Sequence, residues 1–432
     1  MLYLPTLEFS MSPKQNFVEE LRWRNMLQDI MPGTEELLNQ GKMVTGYIGF
    51  DPTSDSLGVG NMVQIMSLLH FQRAGHKPIA LVGGATGMVG DPSGKSAERN
   101  LLDEDTLNYN VACQKAQLEK FLDFSCGENS ATIVNNYDWF REFSFLDFIR
   151  DVGKHLTVNY MMAKDSVKNR LESGMSFTEF SYQLVQGYDF YYLWKNHDVM
   201  LQMGGSDQWG NIVTGTELIR RKAGGEAFAL TTPLIKKADG TKFGKTEGGN
   251  IWLDAKKTSP YAFYQFWLRA SDADVVNYIR IFSLKSREEI EAIEKGMLQK
   301  ELAREITTRV HGEGAYNKAV RASEILFGRG TAEELATIDE ETLLSAMEGV
   351  PQARIARSEL ESGIAIIDFL SEKINLLPSK TEAKKMLQGN GISINKDKVS
   401  DIVATVGSGN LINNRYILAQ KGKKDYCLVI VE

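Results

Sequence analysis

Residues 47–61 read Tyr47-Ile48-Gly49-Phe50-Asp51-Pro52-Thr53-Ser54-Asp55-Ser56-Leu57-Gly58-Val59-Gly60-Asn61. The first four form a short apolar run, the end of a buried strand. Asp51-Pro52-Thr53 is a turn cluster. Beyond Asn61, the residues Met62, Ile65, Leu68 and Leu69 recur at the spacing of one helical face. Strand, glycine-bearing turn and helix together aim backbone N–H groups and a helix N-terminus at phosphate. The glycines, Gly58 and Gly60, do not make G-x-G-x-x-G. On this stretch alone a plain strand–turn–helix of an α/β core reads equally well.

Working outward, residues 14–40 have a helical pattern that stops near Pro32-Gly33. A second apolar run at 78–83 ends in Gly83-Gly84-Ala85-Thr86-Gly87-Met88-Val89-Gly90-Asp91-Pro92-Ser93-Gly94-Lys95, where the backbone must approach a neighbour closely. Its Ser-Gly-Lys-Ser ending is that of a phosphate-binding P-loop, but Pro92 and the polar run that follows disfavour the long helix a P-loop opens. Helical pattern returns at 104–124 and 144–173, with strand-like 131–134 and a polar Asn135–Trp139 segment between. In the helix 180–190, Tyr182, Gln186 and Asp189 share one face at i, i+4 and i+7. Such a polar triplet is either a satisfied core network or a pocket lining, and the lining reads better. Residues 200–208 make another strand ending in Gly204-Gly205-Ser206-Asp207-Gln208. Strands alternating with helices, each ending in such a turn, predict a parallel α/β sheet with ligands at the carboxyl ends of its strands.

Composition bounds the rest. At 432 residues, with 43% hydrophobic and 24% charged, the chain predicts a soluble protein of several domains. No run of 18 apolar residues predicts a membrane span. The start MLYLPTLEFSMSPKQ lacks the basic and apolar blocks of a signal peptide. Cys113, Cys126 and Cys427 make no metal or disulfide framework, which predicts a cytoplasmic setting. The five histidines are scattered, so no metal site is predicted. Net charge is −7, against a protein coated in nucleic acid. Residues 361–432 hold ten Lys/Arg and eight Asp/Glu, a balance of +2, leaving −9 on the remainder. A mildly basic tail on an acidic body fits a local anionic partner as well as a solvated surface. The predicted organisation is a Rossmann-like domain over 1–233 and a basic glycine-rich loop over 234–258. A helical domain over 259–332, an acidic linker over 333–360 and a small α+β domain over 361–432 follow. In the last, Ser379 and Glu382 form an S-x-x-E capping box.

Taken together, YxGFDPTxDSLxxGN, LVGGATGMVGDPSGK, FSYQLVQGYDF, GGSDQWGN and KFGKT resemble the motifs of the bacterial tyrosyl-tRNA synthetases, class I aminoacyl-tRNA synthetases, in their order and spacing. The tryptophanyl sibling is similar in fold but lacks the polar triplet in this form. The resemblance implies ATP-dependent activation of L-tyrosine and transfer to tRNA(Tyr) in a cytoplasmic homodimer. It implies ATP and its Mg2+ as substrate, and no tightly bound cofactor. It places Tyr47 and Asp189 on the substrate phenol and Asp91, Tyr182 and Gln186 on its ammonium group. Gln202 and Gln208 become further pocket contacts, and Gly205 and Asp207 become ribose positions. Asp51, Gly58, Gly60 and Asn61 fall on the ATP side. Thr53, Lys95, Arg99, Lys242, Lys245 and Thr246 fall on the departing pyrophosphate. The helical domain resembles the family's anticodon-arm region. The last domain resembles an S4-like RNA-binding fold, with Lys380, Lys384, Lys385 and Lys398 toward RNA. The family signature H-[IV]-G-[HN] here reads Gly58-Val59-Gly60-Asn61. Gly58 offers phosphate only a backbone N–H, so adenylate formation is expected to be slow. A non-catalytic RNA-binding relative of the same fold is the competing expectation.

Overall fold

The structure is a computed structural model describing residues 16–93, 102–165, 167–168, 174–246, 249–328, 330–422 and 425–432. Two compact units divide the chain, Met1–Lys257 with Trp267–Val310 and Thr258–Phe266 with His311–Glu432.

In the first unit one sheet contains β1 (Asp29–Ile30), β2 (Thr45–Phe50), β3 (Lys77–Val82), β4 (Thr132–Asn135), β5 (Val199–Gly205) and β6 (Phe228–Thr232), in the order β1-β6-β5-β2-β3-β4. All neighbours are parallel except the edge pair β1–β6. Strands β2, β3, β5 and β6 are buried almost throughout, as parallel strands covered on both faces must be. The chain runs outward from β2 through β3 to β4, then returns to lay β5 on the other side of β2. The reversal between β2 and β5 is the topological switch point where open α/β sheets bind ligands. Tyr47 and Gln202 are register partners there.

Helix Met62–Arg73 covers one face, and its buried side chains run from Met62 to Gln72 with little interruption. On the other face helices Phe177–His197 and Trp209–Ala223 cross at glycines. A Cβ on Gly215 would lie 2.8 Å from the Cβ of Phe190. Tyr47, Ile79, Leu81, Phe190, Leu193, Val199, Ile219 and Ala227 form one core cluster there.

Several expectations change. The single helix over 14–40 is two short helices, Phe17–Trp23 and Thr34–Leu38, with β1 between them, because the Gln28–Met31 backbone pairs with β6. The 144–173 stretch is broken after Asp151 and restarts at Val158, capped by Thr157. The helical stretch 259–332 is divided between the units. Its portion 267–310 joins the sheet unit, because Phe243 is buried against Trp267, Tyr278 and Phe282. Arg24, 1% exposed, also donates to the carbonyls of Arg280, Ser283 and Lys285.

The expected linker 333–360 is structured. It carries helix Glu340–Ala346 and a strand (Gln352–Ile355), which pairs in parallel with the C-terminal strand. Four of its acidic residues, Glu333, Glu334, Glu340 and Glu341, sit in the first turns of its helices, where they match the helix dipole. After the hairpin β7 (Lys245–Thr246) and β8 (Gly249–Asn250), this strand is β9. It joins β11 (Ile392–Ile394), β12 (Asp397–Val399), β14 (Tyr416–Lys421) and β15 (Asp425–Val431) in a second sheet, while β10 (Ile364–Ala365) pairs with β13 (Thr405–Val406). Its core, Ile355 to Val431, draws only on residues from 353 onward. Ser379 caps helix Lys380–Gln388 by accepting from Glu382 N; the reciprocal half of the predicted box is replaced by a contact of Glu382 with Lys421.

Candidate active site

At the switch point lies a cavity of about 300 Å³, lined from β2, β5, the turns after them and helix Phe177–His197. Tyr47, Asp91, Tyr182, Gln186, Asp189, Gln202 and Gln208 all line it, as do Asp51, Thr53, Gly60, Asn61, Gly205 and Asp207. Strand ends bring the first set together, and the helical spacing read from the sequence brings Tyr182, Gln186 and Asp189 to the same wall.

Asp189 is 1% exposed. Its Oδ1 accepts from Trp139 Nε1 at 2.9 Å and its Oδ2 from Asn136 Nδ2 at 3.0 Å. Burial outweighs both donors and pushes its carboxyl up to about 8. The Tyr47 hydroxyl is equally buried and makes no hydrogen bond among the described residues. Burial first, and the Asp189 charge second, hold that phenol well above the usual tyrosine range. Gln186 Oε1, Gln202 Oε1 and Gln64 Oε1 are also buried without partners among the described residues. Four unsatisfied polar atoms on one cavity wall are costly unless something polar fills it.

A second carboxylate is held differently. Asp91 accepts from Gln208 Nε2 at 2.7 Å and from Ser93 N at 2.9 Å, with Asn211 Nδ2 at 3.4 Å. Nearby, Asp51 Oδ2 accepts from the Tyr182 hydroxyl at 2.9 Å and Oδ1 from Thr86 Oγ1 at 2.8 Å. Asp51, expected on the nucleotide side, is thus bonded to the amino-acid wall, because β2 ends beside the Phe177–His197 helix.

A further cavity of about 300 Å³ is lined by Asp51, Thr53, Gly58–Asn61, Lys242 and Lys245. Its lysines come from the glycine-rich loop, which the buried Phe243 ring anchors. Gly244, at φ +78°, lies where a Cβ would be 2.7 Å from Val59 Cγ2. Ile251 bridges the two segments, its N–H donating to Gly244 O and its carbonyl accepting from Val59 N, each at 2.9 Å. A glycine turn, a helix start and two lysines around one opening make a phosphate site in physical terms. Among the described residues no group of His, Cys, Asp and Glu is placed to hold a metal.

Residues 39–328 match the family model described as tRNA synthetases class I (W and Y). The chain belongs to this family. Residues 342–429 match the tyrosine–tRNA ligase SYY-like C-terminal domain. The tyrosine–tRNA ligase of Porphyromonas gingivalis is 62% identical over 430 residues, covering 96% of this chain and 100% of that one. The tyrosine–tRNA ligase of Cytophaga hutchinsonii is 61% identical over 425 residues, covering 96% and 99%. Among solved structures, a C-terminally truncated mitochondrial tyrosyl-tRNA synthetase of Aspergillus nidulans superposes with a TM-score of 0.63 at 30% identity, covering 72% of this chain and 94% of that one.

Other positions expected of a class I synthetase fare unevenly. Lys95 and Arg99 lie outside the described residues. Thr246 sits in β7, exposed, its hydroxyl turned back to Gly249 O, and lines neither cavity. Lys384, Lys385 and Lys398 are exposed on the C-terminal domain, whereas Lys380 is paired with Asp368 and Glu372 at 2.8 and 2.9 Å. Asn136 and Trp139, which hold Asp189, were not singled out from the sequence. The signal was present, since both follow β4 at its carboxyl end, where an α/β sheet gathers its site.

Proposed function

We propose that the chain is an ATP-dependent tyrosine–tRNA ligase working through these two cavities. Tyrosine's carboxylate attacks the α-phosphorus of ATP, pyrophosphate leaves with the electron pair of the broken P–O bond, and tyrosyl-adenylate remains. A 3′-terminal ribose hydroxyl of tRNA(Tyr) then displaces AMP. The protein's work is positioning and charge stabilisation.

The observation that carries this reading is the buried pair Tyr47 and Asp189 beside an otherwise unsatisfied wall. A ring bearing a hydroxyl donates to Asp189 and accepts from Tyr47. A phenyl ring does neither, and an indole N–H only donates. Asp91, Tyr182 and Gln186 suit the ammonium group, since an ammonium is a three-fold donor. Gln202 and Gln208 complete the polar wall. Gly205, whose missing Cβ leaves room beside Asp207, suits the ribose. Gly58, Gly60, Asn61 and Thr53 face the phosphates of ATP, which arrives with its magnesium ion as substrate. Lys242 and Lys245 neutralise charge on the departing pyrophosphate, and Lys95, Arg99 and Thr246 join them by family pattern. Asp51 acts through Tyr182.

Residues 361–432, with Lys384, Lys385 and Lys398, contact the tRNA as an S4-like module. The active form is a homodimer in the cytoplasm. Phe145, Leu146, Ile149, Val158, Met162 and Phe177, all large, apolar and exposed, support a partner for this unit. ATP–pyrophosphate exchange run with each amino acid in turn tests the reading. Exchange with tyrosine is expected; exchange with tryptophan alone would overturn it.

A further inference from the structure

Helix Glu104–Leu118 buries an unusual face: between Leu107, Val111 and Leu118 stand Asn110, Gln114 and Gln117, each at most 7% exposed. Their spacing, i, i+4 and i+7, puts the three amides in one row. The row meets the backbone after β2. Asn110 Nδ2 donates to Pro52 O at 2.9 Å, and Gln114 Nε2 donates to Ser54 O at 3.0 Å. Gln117 Oε1 accepts from Leu57 N at 2.8 Å, while its Nε2 donates to Ser56 Oγ at 3.2 Å. Three side chains therefore engage the stretch 52–57, which carries Thr53 and leads into Gly58.

We propose that Asn110, Gln114 and Gln117 are positioning residues for adenylate formation, fixing the 52–57 backbone so that Thr53 and the Gly58–Asn61 turn meet the phosphates in register. The proposal rests on the reading of the site as a tyrosine-activating one. Without the row, Pro52 O and Leu57 N lose their partners in a half-buried turn, and a turn so released samples several geometries. Gln114 has a second feature: its Oε1 is buried without a partner among the described residues, and the residue lines the cavity that holds Lys242 and Lys245. A side chain kept only for packing would be apolar at this position. An amide with one arm bonded to the turn and an acceptor left at the phosphate cavity fits a part of the site.

The row approaches the amino-acid wall through backbone, where Gln114 Nε2 donates to Asp51 O at a long 3.4 Å, and hydrogen-bonds none of the side chains assigned to tyrosine. Tyr47, Asp189 and Gln186 sit on β2 and helix Phe177–His197, so loss of the row should spare tyrosine binding. This separates a positioning role from general loss of structure.

The test is Gln114→Met in the full chain, which keeps shape and removes both polar arms. Single-turnover adenylate formation should slow by about 10–100-fold, the range that small misplacements of reacting groups produce. The tyrosine Kd should stay within about twofold and kcat should fall more than the KM for ATP changes, as for an interaction expressed in the transition state. Hydrogen exchange of the 53–57 amides should quicken. A folded variant with parental kcat would overturn the proposal, as would equal loss in tyrosine binding and kcat. Should that variant not fold, Asn110→Leu removes one bond of the row and is expected to slow the same step by several-fold; no change would count equally against it. The parent is run in the same assay. Absence of tyrosine-dependent exchange in the parent would fell the functional reading and this proposal with it, an outcome distinct from a slow variant of an active parent.

Discussion

The hydroxyl of Tyr182 donates to Asp51 Oδ2 at 2.9 Å, joining the helix that carries Asp189 to the turn that begins the phosphate site. Thr86 Oγ1 holds the other oxygen of the same carboxylate at 2.8 Å, so Asp51 serves as a fixed acceptor rather than a free charge. Burial first, and the Asp51 charge second, keep the Tyr182 phenol un-ionised. Tyr182→Phe keeps the ring and removes the donor. Loss of this donor to a half-buried carboxylate costs about 1–3 kcal/mol. Both the KM for tyrosine and the adenylation rate should therefore worsen, together lowering kcat/KM by about 30-fold at the middle of that range. A double-mutant cycle with Asp51→Asn should show coupling. Additive effects would remove this bond from the mechanism.

Asp189 should set the preference for tyrosine over phenylalanine. Bound phenylalanine leaves Asp189 and Tyr47 unmatched, whereas tyrosine matches both. Asp189→Ala should lower kcat/KM for tyrosine by at least about tenfold and narrow the tyrosine/phenylalanine ratio. The pH dependence follows from burial. Burial pushes the Asp189 carboxyl up to about 8, so most of it is protonated at neutral pH. A phenol donor favours the ionised form, so tyrosine binding should release a proton and tighten between pH 6 and the value near 8. The sign for stability is the reverse. A carboxyl raised above its unfolded value makes the tyrosine-free fold lose stability as pH rises from about 4 toward 8. Calorimetric titration of tyrosine in buffers of different ionisation heat reads the released proton; a flat affinity and no proton release would remove Asp189 from the phenol site.

The C-terminal domain should be needed for tRNA and dispensable for adenylate. Its core is built from residues 353 to 431 alone, and β9 belongs to its sheet. A chain ending at Gly349 removes that sheet whole. It gives up the Asn413 Nδ2 bond to Ile338 O and the Tyr416 contact with Glu340. This chain should keep pyrophosphate exchange near the parental rate and lose most aminoacylation. The full chain should bind tRNA less tightly as salt rises, through Lys384, Lys385 and Lys398. Parental charging of tRNA by the shortened chain would assign the domain another role.

The sheet, the switch point and the polar triplet were legible in the sequence because each is a short-range pattern: a strand period, a glycine turn, a helical spacing. Long-range pairing is what the pattern does not carry. Strand β1 is two residues whose only cue is the backbone of β6. Strand β9 reads as acidic connection until β15 is placed beside it. Likewise Asp51 looks like a free turn carboxylate until the Phe177–His197 helix brings Tyr182 onto it. The row Asn110, Gln114 and Gln117 conceals its helix face, because polar residues occupy a buried stripe and weaken the amphipathic signal.

Gly58 is the family's departure point, and its geometry decides what a histidine there would do. Its φ of −95° and ψ of 169° are extended backbone open to any residue, so no left-handed strain opposes substitution. Space does. A Cβ at Gly58 would lie 3.2 Å from the Ile251 carbonyl oxygen. That oxygen accepts from Val59 N, and Ile251 N–H is held by Gly244 O, so Ile251 is restrained on both sides. The Gly58 N–H is itself taken by Asn61 Oδ1 at 3.0 Å. The turn is therefore packed around glycine, against the segment that leads back to Lys242 and Lys245. Gly58→Ala isolates the effect of the Cβ. It should slow adenylate formation by up to about tenfold, by shifting Ile251 and the lysine loop a few tenths of an ångström. Gly58→His adds the imidazole to the same displacement. A preorganised donor to the departing pyrophosphate contributes roughly 10²–10³ in rate where its geometry is right. Gly58→His should therefore exceed Gly58→Ala in single-turnover rate, with little change in the KM for ATP, because the donor acts on charge that develops only in the transition state. A Gly58→His variant that is folded and no faster than Gly58→Ala would show that this turn has no use for the donor, and that Lys242 and Lys245 already supply the charge the histidine would meet.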